Sequence, residues 1–261
     1  MRAIILAAGK GTRLKEYAEN LPKGMLPFMG RPIIAWQLAV LKRVGVEDVI
    51  VVTGHHRERI DIPGVRYYHN SRYAATNMVE SLMCARAEFD RDVLVAYGDI
   101  LYDLNLCRLV VDNPHGIAVA VDKNWRDYWH FRYGTTECDL ETLKLSADGR
   151  IEELGRPVSE SAGVHYRYIG LIKFSVKGIE QATRLYDAKR MRQERWIASG
   201  KEFQQGYMTD LLTELIGAGV SIWPAISRNG WLEFDTVADY ENACLLTGQG
   251  ELKRFIDLGT V

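Results

Sequence analysis

The sequence predicts an α/β fold, a doubly wound and mainly parallel mixed sheet in a single domain, and three observations predict it. Largely apolar runs at 2–7, 48–53 and 92–97 alternate with stretches of helical periodicity, the pattern of parallel strands buried on both faces. The second and third runs stop at Gly54 and at Gly98-Asp99, and the first leads into a glycine-rich segment. The 261 residues are 47% hydrophobic, with no repeat, low-complexity tract or linker, enough for one sizeable core.

The elements follow in order. RAIILA at 2–7 is the first strand, helical spacing over 33–44 gives the first helix, and DVIVVT at 48–53 is the second buried strand. A short strand at 65–69 precedes a helix over 77–88 opened by Asn77 as N-cap, and DVLVAY at 92–97 is the third buried strand. IAVAVD at 117–122 adds another. LKLSADGRIEEL at 143–154 holds Asp148-Gly149 between alternating runs, a hairpin signature, and YRYIGLIKFS at 166–175 is a long strand. A polar helix at 177–195, a helix near 208–217, a strand at 220–225 and a closing strand and helix over 231–247 complete the chain. The texture changes after residue 115, dividing the domain into halves 1–115 and 116–261.

In an open α/β sheet ligands bind at the carboxyl ends of the strands, where Gly9 to Arg13 and Asp99 fall. The stretch LAAGKGTRL at 6–14 is not a dinucleotide fingerprint, because Leu14 stands where the third glycine belongs. Nor is it a P-loop, which needs four residues between its glycines and then Lys-Ser or Lys-Thr. What remains is a phosphate loop that ends in arginine: small residues let backbone N–H groups approach an anion, and Arg13 adds a fork of donors.

A formal net charge of -1, without long runs of one sign, makes nucleic acid and anionic membrane poor partners. The 4 cysteines are scattered without metal-like spacing, the first strand starts without an apolar leader, and no apolar stretch approaches a membrane span. The expectation is a reduced, cytoplasmic protein.

LAAGKGTRL followed by LPKGMLP at 21–27, a Gly-Asp closing a later strand, and WLEFDT at 231–236 closely resemble the nucleotidyltransferases that join a nucleoside triphosphate to a phosphate-bearing metabolite. YAATNMVESL (73–82), VDKNWRDYW (121–129) and EFDTVADYE (233–241) look most like the phosphocholine and phosphonate cytidylyltransferase branch. The resemblance implies a Rossmann-like fold, with 1–115 binding the nucleotide and 116–261 binding and covering the acceptor. It implies a Mg²⁺-dependent enzyme using CTP or another NTP and a small phosphorylated metabolite; the oligomer stays open, a homodimer included. The alternatives are a sugar-1-phosphate nucleotidyltransferase and a non-catalytic regulatory relative.

Residue by residue, Arg13 would hold the β- and γ-phosphates, and Lys23 of LPKGMLP, the match for the family's essential lysine, the α-phosphate. Leu6, Ala8, Gly9, Gly11 and Thr12 complete the nucleotide contacts with Asn77 and Ser81, which lie where relatives meet base and ribose; Asn77 is equally a plain helix cap. Lys10 is expected to be solvated. Asp99 and Asp235 match the aspartates after the family's central and late strands and would ligate Mg²⁺, whereas Asp103 reads as a cap. Arg156 falls where relatives carry a basic residue for the acceptor phosphate. Trp125 and Trp129, with Tyr168 and Trp231, form either an aromatic wall for an ammonium group or a cover over the core. Arg126, His130 and Arg132 beside them would suit a carboxylate. Lys173 alternates with Ile172 and Phe174 and faces either the site or solvent.

Overall fold

The computed structural model describes residues 1–259; Thr260 and Val261, the end of the second half, lie outside the described residues. In chain order the elements are β1 (Arg2–Ala7), a small hairpin of β2 (Pro27–Phe28) and β3 (Arg31–Pro32), α1 (Ile33–Arg43), β4 (Asp48–Thr53), β5 (Arg66–His69), α2 (Met78–Cys84), β6 (Val93–Tyr97) and β7 (Ile100–Tyr102). Then come α3 (Leu104–Val111), β8 (Ile117–Asp122), α4 (Trp125–Tyr133), β9 (Glu141–Leu145), β10 (Ile151–Pro157), β11 (Arg167–Phe174), α5 (Val176–Arg192), α6 (Met208–Gly217), β12 (Trp223–Ser227), β13 (Trp231–Glu233) and α7 (Val237–Gln249).

The central sheet has 7 strands in the order β12-β8-β11-β6-β1-β4-β5. Only β11 runs against the rest, pairing antiparallel with β6 and β8. The other pairs are parallel. Apolar residues of β1 alternate between two cores, Ala3, Ile5 and Ala7 on one face and Ile4 and Leu6 on the other, so both faces are covered as the unbroken apolar run requires.

A two-stranded ribbon outside this sheet matters most for the site. β7 pairs antiparallel with β13, Ile100 opposite Glu233, and the Phe234 N–H donates to the Asp99 carbonyl at 2.9 Å. The carboxyl end of β6 and the segment after β13 are thereby tied together, which brings Asp99 and Asp235 to one place from 136 positions apart in the chain.

Several sequence-based boundaries shift. The helix expected over 77–88 ends at Cys84 and continues as a separate 3₁₀ turn at Arg86–Glu88. The strand expected at 220–225 lies at Trp223–Ser227. Two helices, α3 and α4, were not expected; in α4, WRDYWHFRY carries Trp125, Tyr128, Trp129 and Arg132 at helical spacing, and these four are its buried residues.

Candidate active site

The loop after β1 is built around Gly11. Its φ of 65° is left-handed, and a Cβ there would stand 2.6 Å from Lys23 Cγ, so only glycine lets the lysine pass. A Cβ on Gly9, by contrast, would meet no atom within 4 Å, leaving open room in the cleft that this glycine lines. Gly11 accepts the Leu14 N–H at 2.9 Å and starts a 3₁₀ segment over Thr12–Ala18 that kinks at Lys15, which sets Arg13 at the cleft and leaves Lys10 exposed.

Lys23 follows Pro22 in a second 3₁₀ turn and reaches between two carboxylates, donating to Asp99 Oδ2 at 3.0 Å and Asp235 Oδ1 at 2.5 Å. Arg13 pairs with the other Asp235 oxygen. Burial works against the charge on Lys23, but the attraction of Asp99 and Asp235 outweighs it and raises the lysine's pKa. Burial likewise pushes Asp235 upward, and Lys23, then Arg13, more than reverse this and hold it below the usual carboxylate range. This is a charged cluster of two cations and two anions, all four at the wall of one cavity.

That cavity, about 340 Å³, is lined by Leu6, Ala8, Gly9, Gly11 and Thr12 on one side and by Asn77 and Ser81 on the other. Asn77 uses Oδ1 to cap α2, accepting the Met78 N–H at 2.9 Å. Its Nδ2 has no hydrogen-bond partner among the described residues, so the two roles considered for it do not exclude one another. Ser81 is held by Asn70 Nδ2 at 3.0 Å. A second cavity of about 700 Å³ adjoins the first, and Arg13, Met78, Tyr97, Tyr207, Glu233 and Asp235 belong to both. Tyr168 lines it and donates to Tyr97 Oη at 2.9 Å.

Other residues expected around an acceptor lie elsewhere. Trp125 and Trp129 are fully buried on the inner face of α4, packed edge to face with each other, and line neither cavity, the placement of a cover over the core. Trp231 borders the second cavity but is 3% exposed, its Nε1 donating to Asp122 Oδ2 at 2.9 Å. Lys173 faces neither site nor solvent. Because β11 runs antiparallel to β6, Lys173 sits opposite Leu94 near the start of that strand, the far end from Asp99, and donates to the Val111 and Asn113 carbonyls at 2.9 and 2.6 Å. Arg156 is exposed on β10 and lines neither cavity, although its neighbours Gly155 and Pro157 line the second.

Sequence reasoning missed the support beneath Asp235. Arg132 grips Asp239 with Nε and Nη2 at 2.8 and 2.9 Å and Glu233 with Nη1 at 2.5 Å. Asp239 Oδ2 in turn accepts the Asp235 and Thr236 N–H groups at 3.2 and 2.9 Å. The available signal was Thr236-x-x-Asp239, a capping box at the start of α7. Asp103 caps α3, as its sequence position suggests, accepting the Leu106 N–H at 2.9 Å.

The loop after β1, Lys23 between Asp99 and Asp235, and the two cavities that meet beside them lie where the nucleotidyltransferase motifs of the sequence fall. The chain belongs to the MobA-like NTP transferase domain family, whose profile matches residues 3–163. Among its relatives is the CTP:phosphoglutamine cytidylyltransferase of Campylobacter jejuni, 31% identical over 254 residues, covering 92% of this chain and 98% of that protein. The CMP-5'-(3-aminopropyl)phosphonate synthase of Streptomyces rubellomurinus is 28% identical over 93% of this chain, which spans 38% of that longer protein. Among solved structures, the CTP:phosphocholine cytidylyltransferase LicC of Streptococcus pneumoniae superposes with a TM-score of 0.71 over 94% of this chain and 98% of that one, at 21% identity, a likeness of fold.

Proposed function

We propose that the chain transfers CMP from CTP to a phosphate or phosphonate oxygen of a small metabolite and releases pyrophosphate. The observation that carries this is the junction of the two cavities: a place for a nucleoside triphosphate and a place for a second small molecule meet at Arg13 and Asp235, beside Lys23. The cytidine, rather than another base, is supported by the two cytidylyltransferase relatives named above. The assembly of Arg13, Lys23, Asp99 and Asp235 in one cluster supports an enzyme over a regulatory relative.

In the reaction an acceptor oxygen attacks the α-phosphorus, a new P–O bond forms, and the bond from that phosphorus to the β-bridging oxygen breaks, its electron pair leaving with pyrophosphate. Arg13 meets the departing phosphates and Lys23 the α-phosphate, so the charge that develops is offset by groups already in position. Both trade a carboxylate partner for a phosphate, which keeps the cations anchored before the substrate arrives.

Asp99 and Asp235 suit Mg²⁺. Their oxygens are hard donors, and both already lie within hydrogen-bond reach of one cation, the Lys23 ammonium. No group of three or more His, Cys, Asp or Glu side chains among the described residues is placed to hold a metal, so the triphosphate and water would complete the coordination. When bound, the ion would neutralise triphosphate charge and orient the leaving group.

No helix among the described residues is long and apolar enough to cross a membrane, and the cysteines are free. We place the enzyme in the cytoplasm, with residues 1–115 as its nucleotide half and 116–261 as its acceptor half. The test is pyrophosphate release from CTP, UTP, dTTP and GTP against a panel of phosphorylated amines, amino acids and sugars. CTP with an aminated acceptor should dominate; UTP or dTTP with a hexose 1-phosphate would overturn the assignment.

A further inference from the structure

Among the side chains of the second cavity that the reaction above does not use, two stand out. Arg167, at the start of β11, lines it and is 8% exposed. Its guanidinium lies over the Trp129 ring, 4.4 Å from the centroid, and Nη2 donates to Asp139 Oδ2 at 3.2 Å. Nη1 is buried and has no hydrogen-bond partner. A guanidinium carries five N–H donors, and an unspent buried one costs about 1–3 kcal/mol unless something fills it. Glu141, at the start of β9, lines the same cavity, and its carboxylate makes no hydrogen bond or ion pair with any described residue. Burial pushes its carboxyl upward and Arg167 partly offsets this, so the two charges feel each other without touching. The other carboxylates of the cavity are engaged: Glu233 by Arg132, Asp235 by Lys23 and Arg13, and Asp139 by Arg167 itself.

A guanidinium with one unspent donor and an unpartnered carboxylate, both belonging to residues that line one cavity, match a ligand that carries a carboxylate and an ammonium. We propose that Arg167 and Glu141 read the head of an amino acid, Arg167 its carboxylate and Glu141 its ammonium, so that the acceptor is a phosphorylated amino acid rather than a phosphorylated amine. The inference rests on the cytidylyl-transfer reading and narrows its acceptor. The rigid support for Arg167 is the Trp129 ring, which gives the aromatic cluster an indirect part in specificity. Arginine suits the task better than lysine, because its planar fork meets a carboxylate with two bonds and stacks on an aromatic face.

The test uses the full chain with CTP and two matched pairs of acceptors that differ only in the carboxylate: O-phosphoserine against phosphoethanolamine, and O-phosphohomoserine against 3-aminopropyl phosphate. Pyrophosphate release should favour the carboxylated member of at least one pair by about tenfold or more in kcat/KM. Arg167→Gln should remove that preference by raising the KM of the carboxylated acceptor while leaving the KM for CTP unchanged, and Arg167→Lys should recover part of it. Glu141→Gln should weaken both members of a pair alike, since both carry the amine. Equal rates within each pair, or a preference that survives Arg167→Gln in a variant with an unchanged melting temperature, would overturn the inference while cytidylyl transfer stands. Pyrophosphate from CTP with sugar phosphates alone would likewise overturn this inference while cytidylyl transfer stands, whereas no acceptor-dependent pyrophosphate release from CTP would overturn both.

Discussion

Replacing the tryptophans of α4 separates a core role from a binding role, and the structure ranks the two outcomes. Trp129 and Trp125 are both fully buried, so truncation to alanine carries the usual cost of a large aromatic cavity, about 3–5 kcal/mol. Their polar atoms differ. Trp129 Nε1 donates to the Cys138 carbonyl at 2.9 Å, so Trp129→Ala strands an acceptor as well. Trp125 Nε1 is buried without a partner, so Trp125→Ala also deletes an orphaned donor whose burial costs about 1–3 kcal/mol. Trp129→Ala should therefore be the more damaging by about 1–3 kcal/mol, lowering the melting temperature on the order of 10 °C, with Trp125→Ala several degrees milder. Circular dichroism melts measure the ranking, and steady-state kinetics of Trp125→Ala well below its melting point measure the rest. The KM values for CTP and acceptor should both stay within about twofold of the parent, because Trp125 lines neither cavity. An unchanged melting temperature with a selectively raised acceptor KM would refute the core assignment.

Other perturbations have equally definite outcomes. Asp99→Asn and Asp235→Asn should each lower divalent-dependent turnover by about 10²-fold or more with folded, soluble protein, measured as initial rates against a Mg²⁺ titration. Chelation with EDTA should stop turnover and added Mg²⁺ restore it, while the melting curve without substrate stays put, since the described residues hold no full metal site. Gly11→Val combines a left-handed φ with a Cβ 2.6 Å from Lys23 Cγ, so it should weaken CTP binding in calorimetry far more than acceptor binding. For pH, the depressed Asp235 stabilises the fold above the ordinary aspartate range, and that contribution is lost as pH falls through its lowered folded value. Acid melts below about pH 4 should show a smaller further loss for Asp235→Asn than for the parent.

Much of this site was legible because its signals are local. A phosphate loop follows an apolar strand directly, and Asp99 and Asp235 sit at positions where chain direction alone puts them at strand ends. The errors share a different cause. Trp125, Tyr128, Trp129 and Arg132 repeat at helical spacing, but aromatic clustering drew attention away from the period, and the burial of this face depends on Trp231 and Phe255 arriving from later in the chain. Lys173 alternates correctly along β11; what places it at the wrong end is that this strand runs against its neighbours, which only pairing reveals. Arg167 and Glu141 carry no motif. Their meeting depends on how the β9–β10 hairpin sits beside β11, a tertiary fact that residue spacing does not contain.

The central claim is that a new phosphorus–oxygen bond forms at the junction guarded by Lys23. Phosphorus NMR of the full chain with CTP, Mg²⁺ and a phosphorylated amino acid observes that bond directly. The account predicts two coupled signals of an unsymmetrical diphosphate growing in step with pyrophosphate, and their loss by at least about 10²-fold in Lys23→Met. CTP converted to CDP and inorganic phosphate, or a diphosphate product that Lys23→Met still makes at the parent rate, would contradict it.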